Sequence, residues 1–160
     1  MKVLIIADVH GDTRLLKRVI DAESDANAII FLGDGIQDMA ELYDQYTLPR
    51  TYLVRGNCDF SCMEPSEALG GFGGVLVFYT HGNGYDVKWT TSGLKSAARA
   101  RGADVALFGH THIPYYEYDD GLYLFNPGAL SRSSTGVATY GIMQVNDGVP
   151  DFSHKEINND

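Results

Sequence analysis

The run Val3-Leu4-Ile5-Ile6 is apolar and rich in β-branched residues, and it closes abruptly on Asp8-Val9-His10-Gly11. Such a run marks a strand buried on both faces. Asp12 and Thr13 stand where a helix cap belongs. Leu15, Leu16, Val19 and Ile20 then recur at helical spacing, so Thr13 to about Ser24 reads as an amphipathic helix. A buried strand that ends in an acid and an imidazole and feeds a helix constrains the fold strongly. In open α/β proteins ligands gather at the carboxyl ends of such strands.

The unit repeats. Ala28 to Leu32 reads as a second buried strand, ending in Gly33-Asp34-Gly35. Met39, Leu42, Tyr43 and Tyr46 suit a second helix that Pro49 closes, with Asp38 as its cap. Thr51 to Val54 is a third strand, ending in Arg55-Gly56-Asn57-Cys58-Asp59. This β-α-β-α-β order predicts a parallel sheet flanked by helices.

Beyond it, two strand-like pieces flank the glycines at 70, 71, 73 and 74, and the second, Val75 to Tyr79, runs into Thr80-His81-Gly82. Ser92 to Arg101 reads as a helix stopped by Gly102, and Asp104 to Phe108 as a strand ending in Gly109-His110-Thr111-His112. Two hairpins follow, around Asp119-Asp120-Gly121 and Asn146-Asp147-Gly148. The expectation is one domain over residues 1–160, α/β in class, with two packed sheets and outer helices.

Asp8/His10, Asp34, Asn57/Asp59, His81 and His110/His112 fall at five strand ends, and of the chain's 5 histidines only His154 lies elsewhere. Mixed carboxylate, amide and imidazole donors suit Mn²⁺, Fe²⁺, Zn²⁺ or Ni²⁺ better than Ca²⁺ or a structural Zn²⁺. Two such ions could clamp a phosphate for in-line attack. Asp34, between glycines, is best placed to bridge them. The net charge of −9 argues against a broad nucleic-acid surface, so a phosphate substrate must be held locally.

The ordered series Asp8-x-His10, Gly33-Asp34-x₃-Asp38, Gly56-Asn57-Cys58-Asp59, His81-Gly82 and Gly109-His110-Thr111-His112 resembles the calcineurin-like metallophosphoesterase superfamily. Chain length, the Gly-Asn-Cys-Asp form and Asn126-Pro127-Gly128 resemble its small bacterial and archaeal phosphodiesterase branch, which also includes the retromer scaffold subunit. The resemblance implies a four-layer α-β-β-α sandwich with the site along one edge. It implies one metal on Asp8, His10, Asp34 and His112 and a second on Asp34, Asn57, His81 and His110. Mn²⁺ is the first choice and Ni²⁺, Fe²⁺ or Zn²⁺ the alternatives. Asn57, Asp59 and His81 form the expected catalytic group, with Asp59 orienting its neighbours. The implied reaction is hydrolysis of a small phosphodiester by a metal-bound hydroxide. A non-catalytic scaffold on the same fold and a phosphomonoesterase or protein phosphatase are the alternatives. Cys58 departs from the many superfamily members that carry a catalytic His there.

The remaining features divide between function and packing. Cys58 and Cys62 read as two unpaired thiols rather than a C-x₃-C metal or redox pair, which fits a reducing cytoplasm. The apolar runs are too short to span a bilayer and no signal peptide is read, so no membrane association is expected. Tyr115, Tyr116, Tyr118, Tyr123 and Phe125 leave open a substrate pocket, a homo-oligomer interface or cross-strand packing. Arg132 could bind the non-scissile part of a diester, and Arg14 is a weaker candidate. Trp89 and Lys88 could shape a lid; His154 reads as a surface residue.

Overall fold

A computed structural model describes residues 1–131 and 136–158. Arg132 lies outside the described residues. The elements run β1 (Lys2–Ile6), α1 (Thr13–Ala22), β2 (Ala28–Phe31), α2 (Ile36–Tyr43), β3 (Arg50–Leu53), β4 (Glu67–Phe72) and β5 (Val75–Thr80). A 3-10 turn (Asn83–Tyr85) follows, then α3 (Ser92–Ala100), β6 (Val105–Leu107), β7 (Tyr115–Asp119), β8 (Leu122–Asn126), β9 (Ala138–Asn146) and β10 (Val149–Ile157).

Two five-stranded sheets result, in the orders β10-β9-β1-β2-β3 and β4-β5-β6-β8-β7. Both are mixed. The strands β1, β2 and β3 are parallel, and β9 joins β1 antiparallel. The strands β5, β6 and β8 are parallel, with β4 and β7 antiparallel at the edges.

The period of two along β1 explains the layering. Val3 and Ile5 point between the sheets, into a core with Ile30, Phe72, Val77, Val105, Phe125 and Met143. Leu4 and Ile6 point the other way, onto Leu15, Leu16 and Val19 of α1 and Met39 and Leu42 of α2. On the far side Phe78, Ala106 and Leu124 meet Leu94 and Ala98 of α3. The order of layers is therefore helices, sheet, sheet, helix, as expected.

Both hairpins form where read. Asp120 and Gly121, and Asp147 and Gly148, all take positive φ, the conformation that a tight two-residue hairpin turn demands. The aromatics of β7 and β8 pack across strands: Tyr118 faces Tyr123 in register, with ring centroids 4.7 Å apart.

Three local readings need correction. Asp38 does not cap α2; it lies inside its first turn, and the cap position is Gly35 at φ 151°. The helix ends at Tyr43, so neither Tyr46 nor Pro49 terminates it. The side-chain cap of α1 is Asp12 alone, accepting from the Leu15 N–H at 3.2 Å. Among the described residues no helix is long and apolar enough to cross a membrane.

Candidate metal centre

Parallel order within each sheet puts the ends of β1, β2 and β3 on one side of one sheet and those of β5 and β6 on one side of the other. The loops leaving them meet. Nine described non-glycine residues have positive φ, and five are Asp8, His10, Asp34, His110 and His112. Aspartate and histidine enter this region more readily than most residues, but it still stores strain of about 1–3 kcal/mol per residue. Concentration of that strain at the strand ends marks the site.

The backbone holds these turns in place. Val9 and His10 donate their N–H groups to the Asp34 carbonyl at 2.9 and 3.2 Å, and Asp8 donates to Gly33 at 3.0 Å. Asp59 fastens the next loops. Its carboxylate accepts from the N–H groups of Asp34 (2.7 Å), Gly35 (2.9 Å), Ile36 (3.0 Å) and Gly56 (2.7 Å). Buried Asn126 clamps the loop after β6, donating to the Gly109 carbonyl and to Thr111 Oγ1, both at 3.0 Å. The exposed His154 ring stacks on Phe125 and its Nε2 lies 2.7 Å from the Asn126 carbonyl.

The side chains converge. Asp8 Oδ1 lies 3.6 Å from His10 Nε2, 3.3 Å from His112 Nε2 and 3.8 Å from His81 Nε2. Asp34 Oδ2 lies 3.6 Å from His10 Nε2 and 3.3 Å from His81 Nε2. Three donor sets overlap: Asp8/His10/His112, Asp8/Asp34/His81 and His10/Asp34/Cys58. His110 stands alongside, its ring centroid 5.1 Å from that of His81 and its N–H on Asp8 Oδ2 at 3.0 Å. Asn57 is exposed, with its amide nitrogen 3.5 Å from Cys58 Sγ.

These donors fit divalent cations. Asp8 Oδ1 and His81 Nε2 are buried and have no hydrogen-bond partner among the described residues, an arrangement that is costly unless something else satisfies them. His81 Nδ1 lies 2.6 Å from the Leu32 carbonyl, so Nδ1 carries the proton and Nε2 is left with a lone pair, the tautomer a metal needs. Without a cation the charges lean on one another. Burial opposes a charge on His81, yet the close Asp34 carboxylate and the charge of Asp8 hold its pKa above the ordinary value. Burial pushes Asp34 up, but His81, the Cys58 N–H and His10 outweigh it and leave its pKa far below the ordinary carboxylate value. Asp8 is lowered in the same way, against its burial, by His10 and His112. His10 is raised by Asp8.

The sequence missed three contributors. Asp38 accepts from the Gly11 N–H at 3.0 Å and so ties the loop after β1 to α2. Cys58, read as an unpaired thiol at a position where many superfamily members carry His, brings Sγ into range of His10 and Asp34. Asn126, read as part of a rigid turn, is the clamp on the loop that carries His110 and His112. Only the turn sequence Asn126-Pro127-Gly128 gave any signal of that.

Two stacked mixed sheets thus gather carboxylates and imidazoles at their strand ends, in groups that could hold metal ions. The chain belongs to the calcineurin-like phosphoesterase superfamily, whose domain model matches residues 1–148. It is 34% identical over 132 residues to the probable metallophosphoesterase YsnB of Bacillus subtilis, covering 81% of this chain and 75% of that one. It is 28% identical over 173 residues to the phosphodiesterase YfcE of Escherichia coli K12, covering 89% and 87%. The crystal structure of wild-type Vps29 from Entamoeba histolytica complexed with Zn²⁺ shares the fold at a TM-score of 0.76 and 20% identity, covering 99% of this chain and 100% of that one.

Proposed function

We propose that the chain is a dinuclear metal-dependent phosphodiesterase of the cytoplasm, acting on a small phosphodiester. The observation that carries this reading is the place of Asp34. Its Oδ2 stands between His10 Nε2 at 3.6 Å and His81 Nε2 at 3.3 Å, where one carboxylate can serve two cations.

Asp8, His10, Asp34 and His112 would hold one ion, and Asp34, Asn57, His81 and His110 the other. Carboxylate and imidazole donors suit Mn²⁺, Ni²⁺, Fe²⁺ or Zn²⁺, and the family resemblance makes Mn²⁺ the first choice. Two bound divalent ions supply charge neutralisation at the phosphoryl oxygens and a water of lowered pKa for in-line attack. The protein's own part is positioning. Asp59 fixes the Asp34 and Gly56 loops through four N–H groups, the Leu32 carbonyl sets the His81 tautomer, and Asn126 fixes the loop of His110 and His112. The name of the Escherichia coli relative supports a diester over a monoester. The two free thiols, Cys58 and Cys62, support a reducing compartment.

The test is hydrolysis of bis-p-nitrophenyl phosphate with Mn²⁺ or Ni²⁺, against p-nitrophenyl phosphate as the monoester. Turnover of the diester, arrested by chelator and lost by about a hundredfold or more in Asp34→Asn, is expected. Near wild-type turnover in Asp34→Asn with metal bound refutes the two-metal site. A folded, metal-loaded protein that turns over neither ester points instead to a metal-holding scaffold.

A further inference from the structure

Beside the cluster lies a hollow of about 610 Å³, walled by Val87, Lys88, Trp89, Thr90 and Thr91 on one side and by Thr111, Ile113 and Tyr115 on the other, with Phe108 between. Its walls are the same two loops that carry His81 and the pair His110/His112. Phe108 leads directly into Gly109-His110, and Thr111 separates the two histidines. The hollow therefore borders the metal centre through those two loops.

Phe108 and Val87 belong to the core packed under α3, but the other large apolar side chains of the hollow do not. Trp89, the chain's one tryptophan, is 88% exposed and joins none of the core clusters. Ile113 and Tyr115 are exposed as well. The tryptophan turn is nonetheless ordered: the N–H groups of Trp89 and Thr90 both donate to the Asp86 carbonyl, at 3.0 and 3.2 Å. Tyr115 is set edge-on against Phe108, with ring centroids 6.0 Å apart. An ordered, exposed aromatic at the rim of a concave site of this size is the usual make-up of a small-molecule pocket.

Resting on the phosphodiesterase reading, we propose that this hollow seats a planar aromatic substituent of the diester, a nucleobase being the biological group of that chemistry. The base stacks on Trp89 while the phosphate lies between Lys88 and the metal centre. The lining selects this occupant. An acyl chain would cover Lys88 and the Thr91 hydroxyl without giving them partners, which is costly. A base offers both a π-face and hydrogen-bonding edges. Thr91, at the start of α3, makes no side-chain capping bond, so its hydroxyl is available to such an edge. The net charge of −9 argues against a long polyanion held by a basic face, which favours a ligand of one or two nucleotides over a strand.

The experiment compares adenosine 5′-monophosphate with ribose 5-phosphate, which differ only by the base. Calorimetry on the Mn²⁺-loaded protein should show the nucleotide binding about tenfold more tightly. In chelator, the nucleotide should quench the fluorescence of Trp89 saturably and the sugar phosphate should not. In Trp89→Ala the tenfold preference should fall to about twofold or less. Equal affinities in the wild type, or a preference that survives Trp89→Ala, overturn the subsite. Aryl diester turnover on the same sample separates the two readings. Base preference without turnover removes the phosphodiesterase and leaves the aromatic seat, and turnover without base preference does the reverse.

Discussion

The Nε2 atoms of His10 and His112 face each other across 3.3 Å. Two imidazole nitrogens that close either share a proton or address a common third body. Asp8 Oδ1, buried and without a hydrogen-bond partner among the described residues, lies within 3.6 Å of both. The two histidines are 102 residues apart in the chain and sit on loops from different sheets. The donor set is therefore complete only when the sheets stack. Burial of Val3, Ile5, Val77, Val105 and their neighbours supplies the stacking, and the loops inherit its rigidity.

Asp59 is the strongest test of that rigidity, because it touches the loops and not the expected ligand atoms. Asp59→Asn leaves one oxygen where two accepted four N–H groups, and turns an amide N–H toward backbone donors. Stability should fall by about 1–3 kcal/mol, seen as a melting temperature lower by roughly 2–12 °C. Metal affinity, measured by calorimetry, should weaken by about 10–100-fold. An unchanged affinity would leave Asp59 with a purely structural part.

Much of this was legible in the chain. The run Val3 to Ile6 announces its strand through β-branching, and the acids and imidazoles announce the site by falling at strand ends. Other features carry no local mark. The bond from the Gly11 N–H to Asp38 joins residues 27 apart, and nothing about Asp38 in its helical turn distinguishes it from a cap. The start of α2 is set by Gly35 at φ 151°, a conformation the sequence hides. Nor does the last hairpin state that β9 returns to lie antiparallel to β1. That pairing depends on which sheet edge is left free.

Glycine spacing at the site is a packing demand, and Gly56→Ala tests it. A Cβ there would overlap Asp34 Oδ1 and stand 2.6 Å from the Asp34 N. The loop must shift or the carboxylate must leave its place. Overpacking of this kind costs about 1–3 kcal/mol, and metal stoichiometry should drop with it. Gly71→Ala is the control, since its Cβ would meet nothing within 4 Å. If Gly56→Ala binds metal as the wild type does, the close approach of the two loops is not what places Asp34.

Acid stability should report on Glu23, far from the site. Glu23 is 4% exposed and accepts from Tyr140 Oη at 2.8 Å and Lys155 Nζ at 2.9 Å, with Lys2 Nζ at 2.7 Å. It ties the end of α1 to β1, β9 and β10. Burial raises its pKa, but Lys2, Lys155 and Tyr140 outweigh burial and leave it below its ordinary value of 4.5. The folded state then holds fewer protons than the unfolded one, so this stabilisation is whole above 4.5 and drains as pH falls below it. Glu23→Gln should lower stability by about 1–3 kcal/mol at pH 7 and lose less of it on acidification. Urea melts of both proteins at pH 7 and pH 4 check this; parallel losses in the two would refute it.

Cys58 stands where many superfamily members carry a catalytic histidine. Its Sγ is in range of His10 and Asp34, and burial followed by the Asp34 charge pushes the thiol pKa up. A thiol so placed has little readiness to give a proton near neutrality, whereas a working general acid contributes about 10²–10⁴-fold. An aryl oxide leaves without such help and an alkoxide does not. Cys58→Ala should therefore change kcat/KM for bis-p-nitrophenyl phosphate by less than about tenfold. Cys58→His should raise turnover of diesters with poor leaving groups more than of activated ones. Metal content must be measured in each variant, because a thiolate bound to metal would also be lost in Cys58→Ala. A fall of about a hundredfold at full metal occupancy would make the thiol a participant in the reaction. Lost metal with the fold intact would make it a ligand.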